Sequence, residues 1–67
     1  MIAISINGTA RHFDTAISVA ALLEQMQLAG KRVALEHNTE IVPRSRFPQQ
    51  MLADGDHIEI VVAVGGG

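Results

Sequence analysis

The chain has 67 residues, no cysteine and a formal net charge of −2, from five basic and seven acidic residues. This length allows one small domain, and the lack of cysteine excludes disulfides and thiolate zinc sites as sources of stability. Because 48% of the residues are hydrophobic and only 3% aromatic, the domain must be stabilised mainly by aliphatic packing. Arg44 and Arg46 are too few to form a phosphate-binding face, so we expect no nucleic-acid partner.

Membrane insertion and metal binding are also not expected. No apolar run approaches the ~20 residues that span a bilayer. The first residues lack the charged segment and cleavage site of a secretory leader, so we expect a cytoplasmic protein. The three histidines, His12, His37 and His57, are far apart in the sequence and do not have the spacing of metal ligands.

The first half of the chain predicts a β-hairpin followed by a helix. Isoleucines alternate with small or polar residues over residues 2–6, the period of a strand with one buried face. Asn7-Gly8 is typical of a type I′ turn, in which both central residues have positive φ, and residues 9–13 form the returning strand. Ser18 is the expected helix N-cap, and apolar residues recur at helical spacing over residues 19–27.

Two further strands are expected after the helix, which Gly30 would stop. Val33 and Leu35 share one face of a strand over residues 31–36. Residues 41–42 form a very short strand, which ends at a proline because proline has no N–H for the ladder. A short strand of this kind suits the edge of a sheet.

The connection to the last strand carries little chemistry of its own. We expect a single helical turn near residues 49–52, with three apolar side chains packed on the core: Phe47, Met51 and Leu52. Asp54 and Asp56 flank a glycine. A calcium loop would need further oxygen ligands at fixed positions, and no nucleophile or oxyanion hole is near in sequence. We therefore interpret the acidic pair as part of a turn.

The last and longest strand, over residues 57–64, leads directly into three terminal glycines, residues 65–67. Its second face turns apolar at Val61 and Ala63, whereas a half-exposed strand normally alternates apolar with polar residues. Two interpretations stay open: a central strand covered on both sides, or an exposed apolar patch on which a partner docks.

The terminal glycines also allow two interpretations. Chain ends are usually loose, so three glycines are compatible with a frayed terminus. Glycine has no Cβ, however, and an extended glycine segment fits a narrow channel in which any side chain would clash. The second interpretation makes the terminal carboxylate a reactive group.

Several segments of the chain together match one family. They are Asn7-Gly8, Leu22-Leu23, Val33-Ala34-Leu35-Glu36-His37-Asn38, Glu40-Ile41-Val42-Pro43-Arg44, Asp54-Gly55-Asp56, Ile58-Glu59-Ile60-Val61 and Val64-Gly65-Gly66-Gly67. Over its whole length the chain resembles the β-grasp, ubiquitin-like sulfur carrier proteins, most of all the carriers of thiamin biosynthesis. The order of elements agrees, since it predicts an α+β fold with one main helix packed across a mixed sheet of about five strands. The resemblance implies a β-grasp domain over residues 1–64 and a flexible tail over residues 65–67.

The resemblance also implies a function, in which the carrier itself is not an enzyme and binds no cofactor. A partner related to ubiquitin-activating enzymes uses ATP and magnesium to adenylate the carboxylate of Gly67. A sulfur donor, ultimately a cysteine desulfurase, displaces AMP and leaves a thiocarboxylate. Thiazole synthase then accepts the sulfur while it builds the thiazole ring. Gly65 and Gly66 complete the tail motif.

By position, the resemblance places partner contacts on the sheet face beside the tail, at Val61, Ala63 and Phe47. We expect the free protein to be a monomer whose glycine tail is disordered. Three alternatives stay open: the equivalent carrier of molybdopterin synthesis, a ubiquitin-like modifier joined to lysine, and a β-grasp binding module with an inert tail.

Overall fold

The structure, a computed structural model, describes residues 1–63. The predicted tail, and with it the expectation that the tail is disordered, lies outside the described residues. In chain order the elements are β1 (Ile2–Ile6), β2 (Thr9–Phe13), β3 (Ile17–Ser18), α1 (Val19–Gln25), β4 (Val33–His37), β5 (Glu40–Ile41), a 3-10 helix (Arg44–Arg46), β6 (Met51–Leu52) and β7 (His57–Val62).

Five strands form one mixed sheet in the order β2-β1-β7-β4-β5. β1 is antiparallel to β2 and parallel to β7, whereas β4 is antiparallel to both β7 and β5. A parallel pair needs a crossover connection, and α1 lies in that connection and packs across one face of the sheet. This arrangement confirms the predicted β-grasp fold, with β7 at the centre of the sheet and β5 at its edge.

The two hairpins of the sheet have the backbone geometry that type I′ turns require. Asn7 (φ 50°) and Gly8 (φ 86°) join β1 to β2, as predicted. Asn38 (φ 52°) and Thr39 (φ 74°) join β4 to β5. Positive φ is tolerated by asparagine, but it is strained for a β-branched residue such as Thr39.

The helix begins where the sequence predicts. The Ser18 hydroxyl accepts a hydrogen bond from the Ala21 N–H at 3.1 Å, which confirms Ser18 as the N-cap. Ile17 and Leu22 are both buried on either side of this cap, as a hydrophobic staple requires.

The helix ends earlier than predicted, at Gln25, because a non-glycine residue takes the left-handed conformation. Gln27 has φ 61°. Its N–H donates to the Glu24 carbonyl at 3.0 Å, and the Leu28 N–H donates to the Leu23 carbonyl at 2.8 Å. This pair of bonds is a Schellman motif, so the helix stops five residues before Gly30. No helix among residues 1–63 is long and apolar enough to cross a membrane.

The connection between β5 and β7 differs from the prediction. Its helical turn lies at Arg44–Arg46, and not near residues 49–52. Met51–Leu52 is instead a strand that pairs antiparallel with Ile17–Ser18. Met51 is 53% exposed and is therefore not a core residue, whereas Leu52 is fully buried.

The core lies between the sheet and α1. Its buried members are aliphatic, with one phenylalanine: Ile4, Ile6, Ile17, Val19, Leu22, Leu23, Leu35, Val42, Phe47, Leu52, Ile58 and Ile60. Among residues 1–63 no charged or polar side chain is fully buried. Burial of a side chain such as Leu22 contributes about 1.5–3 kcal/mol, and aliphatic packing is therefore the main source of stability, as the composition predicts.

Candidate functional site

β7 is the strand that leads into the tail, and only one of its faces is covered. Ile58 and Ile60 lie in the core, whereas Glu59 is exposed and Val61 is 66% exposed. β7 is central by pairing, between β1 and β4, yet its second face is open. The sequence left two interpretations open. A strand covered on both sides is wrong, because Val61 and Ala63 are exposed, and these two residues form an open apolar patch.

The outer sheet face, as we call this open surface, changes character along β7. Nearest the tail, Val61 lies directly opposite Ala34 of β4, and one step back Glu59 lies directly opposite Glu36. Glu36 is also paired with Ile41 of β5, which is 74% exposed. Side chains directly opposite one another are about 5 Å apart, and two like charges in such a pair repel. The face is therefore apolar beside the tail and acidic behind it.

The structure brings together two of the three predicted partner contacts. Ala63 is exposed, follows Val61 on the outer sheet face, and its N–H donates to the Arg32 carbonyl at 2.9 Å. Phe47 is only 7% exposed and belongs to the core. This burial corrects the prediction for Phe47, because a ring packed in the core offers almost no surface to a partner.

Asn7 makes contacts to β7 that the sequence analysis missed. Its Oδ1 accepts from the Ile60 N–H at 2.8 Å, and its Nδ2 donates to the Ile60 carbonyl at 3.1 Å. Its own N–H donates to the Ile58 carbonyl at 2.9 Å. Asn-Gly predicts a turn, but it carries no signal for a contact with a residue 53 positions away.

A polar cluster lies at the opposite end of β7, where the chain enters the strand. His37 Nε2 is 2.7 Å from Asp56 Oδ2, and the side chains are 14% and 16% exposed. Gln50 Nε2 is 2.8 Å from His37 Nδ1. The Gln50 amide donates a hydrogen bond to His37 Nδ1, which must therefore be the acceptor nitrogen of the ring. The proton of a neutral His37 then lies on Nε2 and is donated to Asp56.

Asp56 is held as a carboxylate by its neighbours. Burial alone would raise the pKa of the Asp56 carboxyl, but hydrogen bonds from the Ala53 N–H, His37 and Asn38 more than offset it and lower that pKa. The Ala53 N–H donates to Oδ2 at 2.8 Å, and Asn38 Nδ2 donates to Oδ1 at 3.2 Å. The cluster connects the two turns at the start of β7.

Metal ligation is not supported in the part of the chain that the structure describes. Residues 1–63 contain no group of three or more His, Asp or Glu side chains that could hold an ion. The predicted tail residues Gly65, Gly66 and Gly67 lie outside the described residues.

Comparison with known proteins matches nearly the whole chain to one family. The family model described as ThiS family matches residues 4–67. A thiazole synthase of Paramagnetospirillum magneticum is 45% identical over 62 residues, which are 92% of this chain. The chain spans only 19% of the length of that relative. The sulfur carrier protein ThiS of Bacillus subtilis is 44% identical over 50 residues, which are 75% of this chain and 76% of that protein.

A solved structure agrees with the sequence comparison. The crystal structure of the thiamine biosynthesis protein ThiS from Geobacter metallireducens superposes with a TM-score of 0.83 at 29% identity. The match covers 98% of this chain and 100% of that one. The resemblance found in the sequence and the β-grasp arrangement of the sheet are both confirmed.

Proposed function

Because the chain belongs to the ThiS family, we propose that it is a sulfur carrier, loaded at the carboxylate of Gly67, that supplies sulfur for thiazole formation in thiamin biosynthesis. The observation that carries the proposal is the extent of the family match, which runs to residue 67 and so includes all three terminal glycines. The names of the relatives support the pathway, since one is a thiazole synthase and another a sulfur carrier protein.

The chemistry begins from an unreactive group. The carboxylate of Gly67 is charged and has no good leaving group, so a sulfur nucleophile cannot displace its oxygen directly. Attack of this carboxylate on the α-phosphorus of ATP releases pyrophosphate and forms an acyl-adenylate. The outer sulfur of a donor persulfide then attacks the acyl carbon and expels AMP, which leaves an acyl disulfide. A second thiol cleaves this disulfide, forms a disulfide with the donor cysteine and releases the thiocarboxylate.

The partner supplies the catalytic groups for these steps. We assign ATP and magnesium to an adenylyltransferase of the ubiquitin-activating type, and the sulfur to a cysteine desulfurase or related donor. The carrier contributes a carboxylate on a backbone without side chains, since glycine at residues 65–67 leaves no Cβ to clash near the reacting carbonyl. Holding that carbonyl in reach of ATP is a positioning effect, and such effects can supply several kcal/mol of a barrier.

The outer sheet face is the proposed docking surface for these partners. Val61 is 66% exposed and only six positions before Gly67, so a partner that encloses the tail also covers Val61 and Ala63. Large exposed apolar side chains on a regular strand are typical of interaction sites. Glu59 and Glu36 would face cationic side chains of the partner, since a positive charge there relieves their mutual repulsion.

Intact-mass analysis tests the proposal. The protein is incubated with the adenylyltransferase, ATP, magnesium and a sulfur source, and we expect one oxygen at Gly67 to be replaced by sulfur. The matched control carries one additional residue after Gly67. That control keeps the whole domain but converts the Gly67 carboxylate into a peptide carbonyl and moves the free carboxylate one residue further along, so it should not be loaded at Gly67. An unchanged mass with active partners, or loading of the extended control, would refute the terminal-carboxylate mechanism.

A second experiment tests the pathway. The loaded carrier is mixed with thiazole synthase and its remaining substrates, or with molybdopterin synthase and its precursor. We expect sulfur transfer with thiazole synthase only. Transfer with molybdopterin synthase alone would replace the thiamin assignment and leave the carrier chemistry intact.

A further inference from the structure

β7 leads into the tail, and at one position its backbone hydrogen-bond ladder is completed by a side chain. Along β7, backbone groups alternate between its two neighbours, and the Ala63 N–H bonds to the Arg32 carbonyl on the β4 side. The backbone N–H and C=O groups of Ile58 and Ile60 therefore point towards β1. The paired register of β1 with β7 ends at Ile6 opposite Ile58, so no main-chain group of β1 is left to bond to Ile60.

The amide of Asn7 takes the place of that missing strand residue. It presents an acceptor to the Ile60 N–H at 2.8 Å and a donor to the Ile60 carbonyl at 3.1 Å. A primary amide has the same donor and acceptor groups as a peptide unit, so it continues the ladder by one position after the backbone has turned away. Positive φ at Asn7 (φ 50°) is what directs the backbone into the hairpin and leaves the side chain beside β7.

We propose that Asn7 is a positioning residue for the reaction of Gly67. This inference rests on the proposed function, because it concerns the same terminal carboxylate. On the β4 side the register runs to Val33 opposite Val62 and is extended by the bond of the Ala63 N–H to the Arg32 carbonyl. On the β1 side, beyond Ile58, the bonds to Ile60 come from the Asn7 side chain. Together they fix the direction in which the chain leaves the sheet.

The consequence for the reaction is a kinetic one. Without the amide, the end of β7 is bonded on the β4 side only, and the direction of the following residues becomes variable. A displacement of about 1 Å at a reacting group can lower a rate substantially. Docking through the outer sheet face uses other atoms, so the loss should be in kcat of adenylation and not in KM for the carrier.

The chain provides a matched control at the other end of β7. Asn38 occupies the same position of the other hairpin turn, with φ 52°. Its Oδ1 accepts from the His57 N–H at 2.8 Å and its Nδ2 donates to Asp56 at 3.2 Å. A substitution at Asn38 therefore removes similar bonds from the same strand, but at the end remote from the tail.

The experiment compares Asn7→Gly and Asn7→Asp with Asn38→Gly and Asn38→Asp. Glycine and aspartate both permit the type I′ turn. Asn7→Gly removes both bonds without adding a charge, whereas Asn7→Asp turns the donor at Ile60 into a repulsive oxygen. Adenylation is measured with the complete protein and its adenylyltransferase, at a temperature where unfolding curves show every variant to be folded.

We expect kcat to fall about tenfold in both Asn7 variants, with KM nearly unchanged and faster amide exchange at Ile60. The Asn38 variants should keep the wild-type kcat in spite of a similar loss of stability. Wild-type kcat in folded Asn7→Gly, or an equal loss in Asn38→Gly, would overturn the role of Asn7. Failure of the wild-type protein to be loaded would instead refute the proposed function itself.

Discussion

Replacement of Asp56 by asparagine should lower the stability of the domain at neutral pH and remove much of its sensitivity to acid. Oδ2 of Asp56 accepts from His37 and from the Ala53 N–H, and Oδ1 accepts from Asn38. An asparagine can serve two of these donors with its one oxygen. Its amino group must then face Asn38 Nδ2, which is also a donor.

The magnitude follows from the count of bonds. One hydrogen bond is lost, at about 1 kcal/mol, and two others lose the extra strength of a charged acceptor. Because the Asp56 side chain is 16% exposed, water compensates part of the loss, and we expect about 2 kcal/mol in the free energy of unfolding. The total free energy of unfolding of a domain of this size is roughly 3–10 kcal/mol, so the change should be easy to measure.

The pH dependence has a definite sign. The pKa of Asp56 is lowered in the folded protein, so its contribution is fully present above the pKa of an unfolded aspartate, about 3.9. That contribution is lost as the pH falls through the lower, folded value. The wild-type protein should therefore lose stability below about pH 4 more steeply than Asp56→Asn, and the two curves should converge.

Urea unfolding at a series of pH values from neutral to strongly acidic checks this expectation. Asp54→Asn is the control in the same turn: Asp54 Oδ1 accepts from the Ala3 N–H at 2.8 Å, and asparagine keeps that acceptor. This control should follow the wild-type curve. A difference between Asp56→Asn and wild type that stays constant or widens with acid would refute the account of Asp56.

Three further substitutions test the fold and the docking surface. Thr39→Gly should raise the free energy of unfolding, measured in urea, by up to about 1 kcal/mol, because glycine adopts positive φ without strain. Thr15→Gly is the control and should not raise it. A Thr39→Gly variant less stable than wild type would contradict the idea that Thr39 is strained. Ser18→Ala should lower the thermal stability by about 1 kcal/mol through loss of the N-cap, and an unchanged melting temperature would count against it. Val61→Lys should raise KM for adenylation about tenfold. The control, Met51→Lys at an exposed residue of β6, should leave KM unchanged. Equal KM values for the two variants would exclude Val61 from the proposed docking surface.

The regular strands could be predicted because their burial alternates. Ile4 and Ile6 in β1, and Ile58 and Ile60 in β7, are buried at every second position, which is the signal that period-two patterns report. The pair β3 and β6 could not be predicted, since a two-residue strand has no period and no hairpin turn joins these two strands, as Asn38-Thr39 joins β4 to the equally short β5. Its existence depends on a partner more than thirty positions away, Ile17 opposite Leu52.

The residues of the candidate site also differ in whether the sequence could predict their position. Val61 and Ala63 could be assigned to the outer sheet face from alternation alone. For Phe47 the sequence predicts both core packing and a partner contact, and only the core packing is confirmed. Spacing alone could not decide between the two, because Phe47 lies in an irregular connection. The side chain of Asn7 was equally hidden, since the same two letters, Asn-Gly, satisfy the turn whether or not the amide reaches Ile60.

The two asparagines together explain how β7 can leave one face open. Asn38 bonds to the start of the strand through the His57 N–H, and Asn7 bonds to Ile60 near its end. The ladder and the buried isoleucines therefore hold the strand, and the outer sheet face contributes little to stability. It follows that substitutions at an exposed residue such as Val61 can change docking while the fold persists. A change in KM for such a variant then reports on the partner contact and not on unfolding.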